Sequence, residues 1–296
     1  MSILTPVKVP VKIYRWDDVG APVFNKTTDV IAKLFKACLV TGYGAKQGAG
    51  WTMPFEVSGI KVFRPEVCAE PDFYLRCSGN TTTQMTAQVY INMTDASTGV
   101  LKLQCSDPFK FARGIISGKW ILIASSRAFW FFCEQAEVAS TPQQTTGSYF
   151  FAGDVYSQNN TNVYMQHTAG DNYAAYSSLL RTYLYNNTPS TDKTVYSPGK
   201  LLQSDNSVIT VDVTSITNWD GTNKALNKFV LAPLVVNSAN DMFVLPGIFT
   251  SADGVTKQNF DEVSIASSVA LTNTVVFGTG STMPSNFYIS TDYWVR

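Results

Sequence analysis

Charge is what this sequence has least of. Only 15% of its 296 residues are Asp, Glu, Lys or Arg, against roughly 25% in an average globular protein. The 22 basic and 22 acidic residues cancel. A neutral chain with no Lys/Arg-rich run has no electrostatic reason to seek phosphate, which argues against nucleic-acid binding. Long apolar runs are missing as well. The longest cluster, residues 120–133, is interrupted by Ser125, Ser126 and Arg127 and falls short of the roughly 18 residues of a membrane-spanning helix. Residues 1–12 contain no apolar stretch of signal-peptide type. The chain is therefore expected to be made and kept in a cytoplasm until something else moves it.

Groups that break bonds are equally scarce. Nucleophilic hydrolysis usually needs a base, most often histidine. His167 is the single histidine, in the polar stretch Met165-Gln-His-Thr-Ala-Gly170, and no G-x-S-x-G occurs. A surface histidine is the plain reading, and a triad with sequence-distant partners is the sharp one. Glycoside cleavage needs two carboxylates about 5–10 Å apart. Glu56, Glu66, Glu134 and Glu262 are the candidate acids, and no spacing pairs two of them. Asp154, Asp171, Asp220 and Asp253 sit beside Gly or Asn, where an Asp side chain bonds nearby backbone in a turn. No calcium loop of the D-x-[DN]-x-[DN]-G type is present.

The five cysteines, Cys38, Cys68, Cys77, Cys105 and Cys133, form no C-x-x-C, and none adjoins His167. Zinc ligands come in tighter pairs. Buried reduced thiols are expected, with a Cys68–Cys77 bridge as the alternative. The glycines of Gly42-Tyr-Gly44-Ala-Lys-Gln-Gly48 follow a helix rather than open one, which is the wrong context for a phosphate loop. They read as helix termination plus a mobile loop. No catalytic, cofactor-binding or metal-binding residue is assigned.

What the chain does have is 45% apolar residues, with Thr, Ser, Asn and Gln in place of charge. That composition suits short strands and polar turns, and surfaces covered by neighbours, because interface cores are depleted in charge. Residues 7–16 alternate apolar and polar side chains as a half-buried strand does, with Pro10 marking an edge or a bulge. One helix is predicted over about 27–40. Thr27 or Thr28 caps it, Ile31, Leu34, Phe35 and Cys38 share a face, and Gly42 and Gly44 end it.

Strands are predicted at 54–64, 72–78, 84–92, 119–124, 127–133 and 148–152, then at 208–213, 229–236, 241–244, 263–270, 273–277 and 286–295. Residues 120–132 read as a central hairpin buried on both faces. A buried helix gives the same run, but the aromatic and β-branched enrichment favours strands. Residues 134–147 are the expected flexible loop, 173–184 a second short helix, and 186–200 a linker. Phe129, Trp130, Phe131 and Phe132 read as core. Tyr173, Tyr176, Tyr183 and Tyr185 are the clustered aromatics, either packed or forming a sugar platform.

Several segments in order carry a resemblance. They are Val11-Lys-Ile-Tyr-Arg15, Gly20-Ala-Pro-Val23, the helix Asp29 to Cys38 running into Leu39-Val-Thr-Gly-Tyr-Gly44, and Gly50-Trp-Thr-Met-Pro-Phe55. Lys61-Val-Phe-Arg64, Phe73-Tyr-Leu-Arg76, Met93-Thr-Asp95, Trp120 to Phe129, Phe150-Phe-Ala-Gly-Asp154, Leu245-Pro-Gly-Ile248 and Tyr293-Trp294 continue it. Together they resemble a family of tailed-bacteriophage virion structural proteins from the tail and neck gene region, without a biochemical assignment. Matches are dense over residues 11–154 and sparser beyond. The resemblance transfers no catalytic residue.

The chain is thus expected to be mainly β, with antiparallel sandwich-like regions and one N-terminal α-helix. An N-terminal domain of residues 1–190 and a C-terminal β region of residues 200–296 are expected. The resemblance implies a non-enzymatic neck, tail or baseplate element in the virion, with other virion proteins and copies of itself as partners in a homo-oligomer. Sheet edges need covering, and assembly with copies is one way to cover them. The alternative is a receptor-binding or adhesion module of the tail that recognises host surface glycan.

Overall fold

The computed structural model describes residues 7–67, 72–104, 109–111, 116–135, 147–157, 163–169, 199–203, 205–215, 232–238, 241–251, 260–263, 273–278 and 286–295. It is mainly β and antiparallel, with a single helix. The strands in chain order are β1 Lys8–Pro10, β2 Lys12–Arg15, β3 Thr52–Val57, β4 Ile60–Arg64, β5 Tyr74–Ser78, β6 Gln84–Ile91 and β7 Val100–Gln104. They continue with β8 Phe109–Lys110, β9 Ile116–Ala124, β10 Ala128–Gln135, β11 Gly147–Ser157, β12 Val163–Ala169 and β13 Gly199–Leu202. The remainder are β14 Val208–Ser215, β15 Ala232–Ser238, β16 Asp241–Ser251, β17 Glu262–Val263, β18 Thr274–Gly278, β19 Asn286–Ser290 and β20 Tyr293–Val295.

A meander β3-β4-β5-β6-β7 forms one sheet, with β8 added against β6. A second sheet runs β17-β18-β19-β16-β15-β14-β13-β12-β11-β10-β9-β2. β1 pairs separately with β20. The expected domain boundary near 190–200 lies mostly outside the described residues. Strands on its two sides are joined by pairing of β12 with β13 and of β13 with β14.

The wall β9-β10-β11 explains the continuous apolar run at 120–132. The hairpin pairs Phe129 with Ala124 and Phe131 with Leu122 around the turn at Ser125-Ser126-Arg127. Alternate side chains point to opposite faces of a strand. Trp120, Leu122, Phe129, Phe131 and Phe150 therefore enter one core, shared with the helix and the meander sheet. Ile121, Ile123, Trp130, Phe132 and Phe151 enter a second core with Leu245, Ile248, Phe260 and Trp294. The second core lies inside the long sheet, which curls back on itself where β11 pairs with β16, Tyr156 opposite Val244 and Ser157 opposite Phe243. Arg15 in end strand β2 lies 3.4 Å from Glu262 in end strand β17, and the Trp16 and Phe260 rings are 5.4 Å apart.

Several expectations need correction. The stretch 54–64 is a hairpin, not one strand, and it turns at Ser58-Gly59 with Gly59 at φ 74°. The helix α1 covers Val30–Phe35 and continues as a π-helical turn, Lys36–Thr41. Neither threonine caps it. The Thr27 hydroxyl donates to Asn25 Oδ1 at 2.6 Å, and left-handed Asp29, φ 66°, precedes the first helical residue without a side-chain cap. The widened turn has a local cause. The Cys38 and Leu39 carbonyls accept hydrogen bonds from the Ala49 and Trp51 N–H groups, and the Gly42 N–H reaches back to Ala37 O. Gly42, at φ 75°, ends the helix as predicted.

Edge strands carry their own protection. β3 contains Pro54 at a register shift. β7 is bulged at Lys102, between Leu101 and Leu103. β17 pairs over two residues. The outward backbone of β2 is bonded by side chains: Ile13 O accepts from Lys46, and the Arg15 N–H donates to Asp18. These devices disfavour strand addition at the described edges β2, β3, β7 and β17. Among the described residues no helix is long and apolar enough to cross a membrane.

Candidate functional site

The densest polar cluster joins β2 to the glycine loop after the helix. Asp18 Oδ2 accepts from Lys46 Nζ at 2.6 Å, from the Tyr43 hydroxyl at 2.7 Å and from the Arg15 N–H at 2.7 Å. Lys46 Nζ also donates to Ile13 O at 2.8 Å, and the Tyr14 hydroxyl donates to Gln47 O at 2.7 Å. The loop expected to be mobile is therefore fastened. Tyr43 and Lys46 exchange two backbone hydrogen bonds of 2.9 Å each, and a Cβ at Gly44 would collide with Val19 O.

Burial opposes ionisation of Asp18, yet the donors from Lys46, Tyr43 and Arg15 together hold its carboxyl below its ordinary pKa. Burial raises the Tyr14 and Tyr43 phenols and the Cys38 thiol well above theirs. The cluster holds a fixed carboxylate, the Lys46 ammonium paired with it and phenols kept protonated, which is an arrangement for fastening. A nucleophile would need a lowered pKa or an adjacent base.

The seam of the curled sheet is the second cluster. The Arg15 guanidinium lies over the Trp16 ring at 4.9 Å. It pairs with Asp17 at 3.0 Å and reaches Phe260 O and Glu262 Oε1, both at 3.4 Å. Phe260 is held at φ 71°, unusual for a bulky residue. Phe260 is also buried in the second core, which is what fixes it there.

The third cluster ties the two sheets together. Arg127 donates from Nε to Asp154 Oδ2 at 2.5 Å and from Nη2 to Asp154 Oδ1 at 3.1 Å. Arg127 Nη1 donates to Glu66 O, and the Ser126 hydroxyl donates to Glu66 Oε2 at 2.6 Å. The Arg127 and Asp154 side chains are 10% and 6% exposed. Asp154 is thus no turn residue but a buried ion-pair partner within β11. Its neighbour Gly153, at φ 146°, lies so close to Ala128 and Arg127 O that a Cβ would overlap them. The Gly-Asp dipeptide concealed this, because Gly and Asp are both common turn residues.

The candidate acids are not brought together as a pair. Glu56 accepts from Lys36 at 2.7 Å and lies 3.6 Å from Lys61. The Lys36 hydrogen bond is the main reason its carboxyl titrates low. Glu134 lies 3.7 Å from Lys119, and Glu262 faces Arg15. Cys38, Cys77 and Cys133 are buried free thiols, and Cys77 is raised by burial. Cys77 therefore makes no bridge to Cys68, and Cys68 and Cys105 lie outside the described residues.

The backbone of His167 pairs opposite Phe151 in β12, a strand that the sequence reading missed. Asp171, Asp220, Asp253, the tyrosines at 173, 176, 183 and 185 and the expected helix 173–184 lie outside the described residues. Among the described residues no three His, Cys, Asp or Glu side chains gather as a metal site. Comparison with models of protein families, with curated proteins and with solved structures gives no match to this chain. Fold and clusters together define a mainly β scaffold whose described charged groups fasten one element to another.

Proposed function

We propose that the chain is a non-enzymatic structural component of a tailed-phage virion, a neck, tail or baseplate element. It works through contact with copies of itself and with other virion proteins. One coincidence carries the reading. The segments that resemble the phage family are the ones this fold uses as scaffold. Val11 to Arg15 contains the closing strand β2. Residues 120–129 and 150–154 build the shared wall and the Arg127–Asp154 tie. Leu245 to Ile248 includes Gly247, whose position leaves no room for a Cβ against Trp294. A family signature made of packing residues fits a part selected for shape.

The Lys36 hydrogen bond that holds the Glu56 carboxyl below its ordinary range supports the same reading for that residue, because a general acid needs a raised pKa. Sedimentation of the recombinant chain, alone and with other virion proteins, tests it. Defined oligomers, or binding to a virion partner, are expected. A monomer at high concentration with no affinity for any virion protein would overturn it.

A further inference from the structure

Residues 8–18 line the seam between the two ends of the long sheet, whose strands also close on one another through β11 and β16. Along one stretch of chain, β1 pairs with β20 and β2 pairs with β9. Arg15 then reaches Phe260 O and Glu262, and Asp18 fastens to Tyr43 and Lys46. Every one of these partners except Tyr43 and Lys46 is over 100 residues away in sequence. The segment continues into the rest of the chain through Val19–Val23, where the side chains at both ends are exposed while the Val19 carbonyl lies against Gly44 and Ala21 packs on the first core. Val19 is 91% and Val23 76% exposed. The bonds made there are Ala21 N–H to Asp18 O at 3.0 Å and Trp120 Nε1–H to Pro22 O at 3.2 Å. The turn closes only because Gly20 adopts φ 79°.

We propose that residues 8–18 are an exchangeable staple, closing the seam of a second copy of this chain with Val19–Val23 as the hinge. The inference rests on the reading above that copies associate. An exchanged element keeps both ladders, the Arg15 fork and the Asp18 cluster, now made between chains. Only the hinge must change. Five extended residues span roughly 17 Å. Extension also releases Gly20 from its left-handed conformation. The blunted edges of β3, β7 and β17 leave strand addition at those edges disfavoured, so exchange of the closing segment is the route to a shared sheet that the fold leaves open.

The experiment pairs Ile13→Cys with Ile123→Cys in the full chain. These residues lie directly opposite, and the Ile13 carbonyl points away from β9 toward Lys46. They form the close kind of antiparallel pair, about 4.5 Å between Cα atoms, within disulfide range. Oligomer and monomer fractions are separated, oxidised and run on denaturing gels without reductant. Exchange predicts covalent multimers from the oligomer fraction and single chains from the monomer fraction.

Oligomers that run as single chains would overturn the exchange while leaving association standing. Absence of any oligomer would overturn both. The Gly20→Val variant supplies an independent measurement. Strain in the closed turn is expected to raise the ratio of oligomer to monomer about tenfold. A variant that loses stability with no rise in that ratio counts against the staple.

Discussion

The two cores share a wall and differ in how they are closed. The first lies between β9-β10-β11 and a meander with its helix, and apart from Tyr14 of β2 its buried residues fall within residues 24–202. Its neighbouring strands follow one another closely in the chain. The second is enclosed by one curled sheet, and its closure joins residues 8–16 to residues 116–124, 260–262 and 293–295. Non-local contacts of that kind form only after long loops have closed. The first core is thus the part that can form early, and opening the second at residues 8–16 takes Tyr14 and Trp16 out of the first as well.

The sharpest way to break this comparison uses adjacent residues of one strand. Phe131→Ala and Phe132→Ala should each cost about 3–5 kcal/mol, as truncated core aromatics do. They should do so in different places. Hydrogen exchange should show Phe131→Ala loosening α1, β5 and β6, and Phe132→Ala loosening β16, β19 and β20. Equal loosening of both regions by either variant would mean a single core.

Next in size is the buried Arg127–Asp154 pair, which joins the β9–β10 turn to β11 within the long sheet. Asp154→Leu alone leaves Arg127 buried without its carboxylate and should destabilise by about 3 kcal/mol in urea unfolding. The double variant Arg127→Met, Asp154→Leu should recover most of that loss. Failure to recover would show that the Arg127 contacts to Glu66 O and over Phe73 matter more than the ion pair.

Smaller and confined to the second core, Gly247→Ala should cost about 1–3 kcal/mol. It adds a Cβ against the Trp294 ring at φ 69°. Tryptophan fluorescence should report the displaced ring, while the meander keeps its exchange protection.

The smallest effect concerns acid. The Asp18 carboxyl titrates below its ordinary value in the folded chain. Its contribution is therefore present above the unfolded pKa of about 3.9 and is lost as pH falls below it. Asp18→Asn should lower stability by about 1 kcal/mol at neutral pH and flatten the acid limb of the stability curve. An unchanged acid limb would place that sensitivity in another carboxylate.

Much of the first core was legible in the sequence, because alternation and aromatic runs report burial directly. Residues 120–132 announce a two-faced strand pair, and Ile31, Leu34 and Phe35 announce the helix face. The rest was hidden for physical reasons. The π-helical turn depends on N–H groups of Ala49 and Trp51 that arrive from beyond the helix. Asp154 reads as a turn because its partner Arg127 is supplied by another strand. The closure of the second core depends on contacts such as Arg15 with Glu262, and no local pattern encodes a meeting of residues so far apart. The one local signal was Pro10, the last residue of β1, after which the chain changes partner from β20 to β9.

The central claim is that this chain serves as a repeated structural part, and quantitative mass spectrometry of purified phage particles tests it most directly. The account predicts the chain at a fixed copy number per particle, a multiple set by a symmetric ring or cluster. A chain abundant in infected cells but missing from washed, intact particles would contradict it.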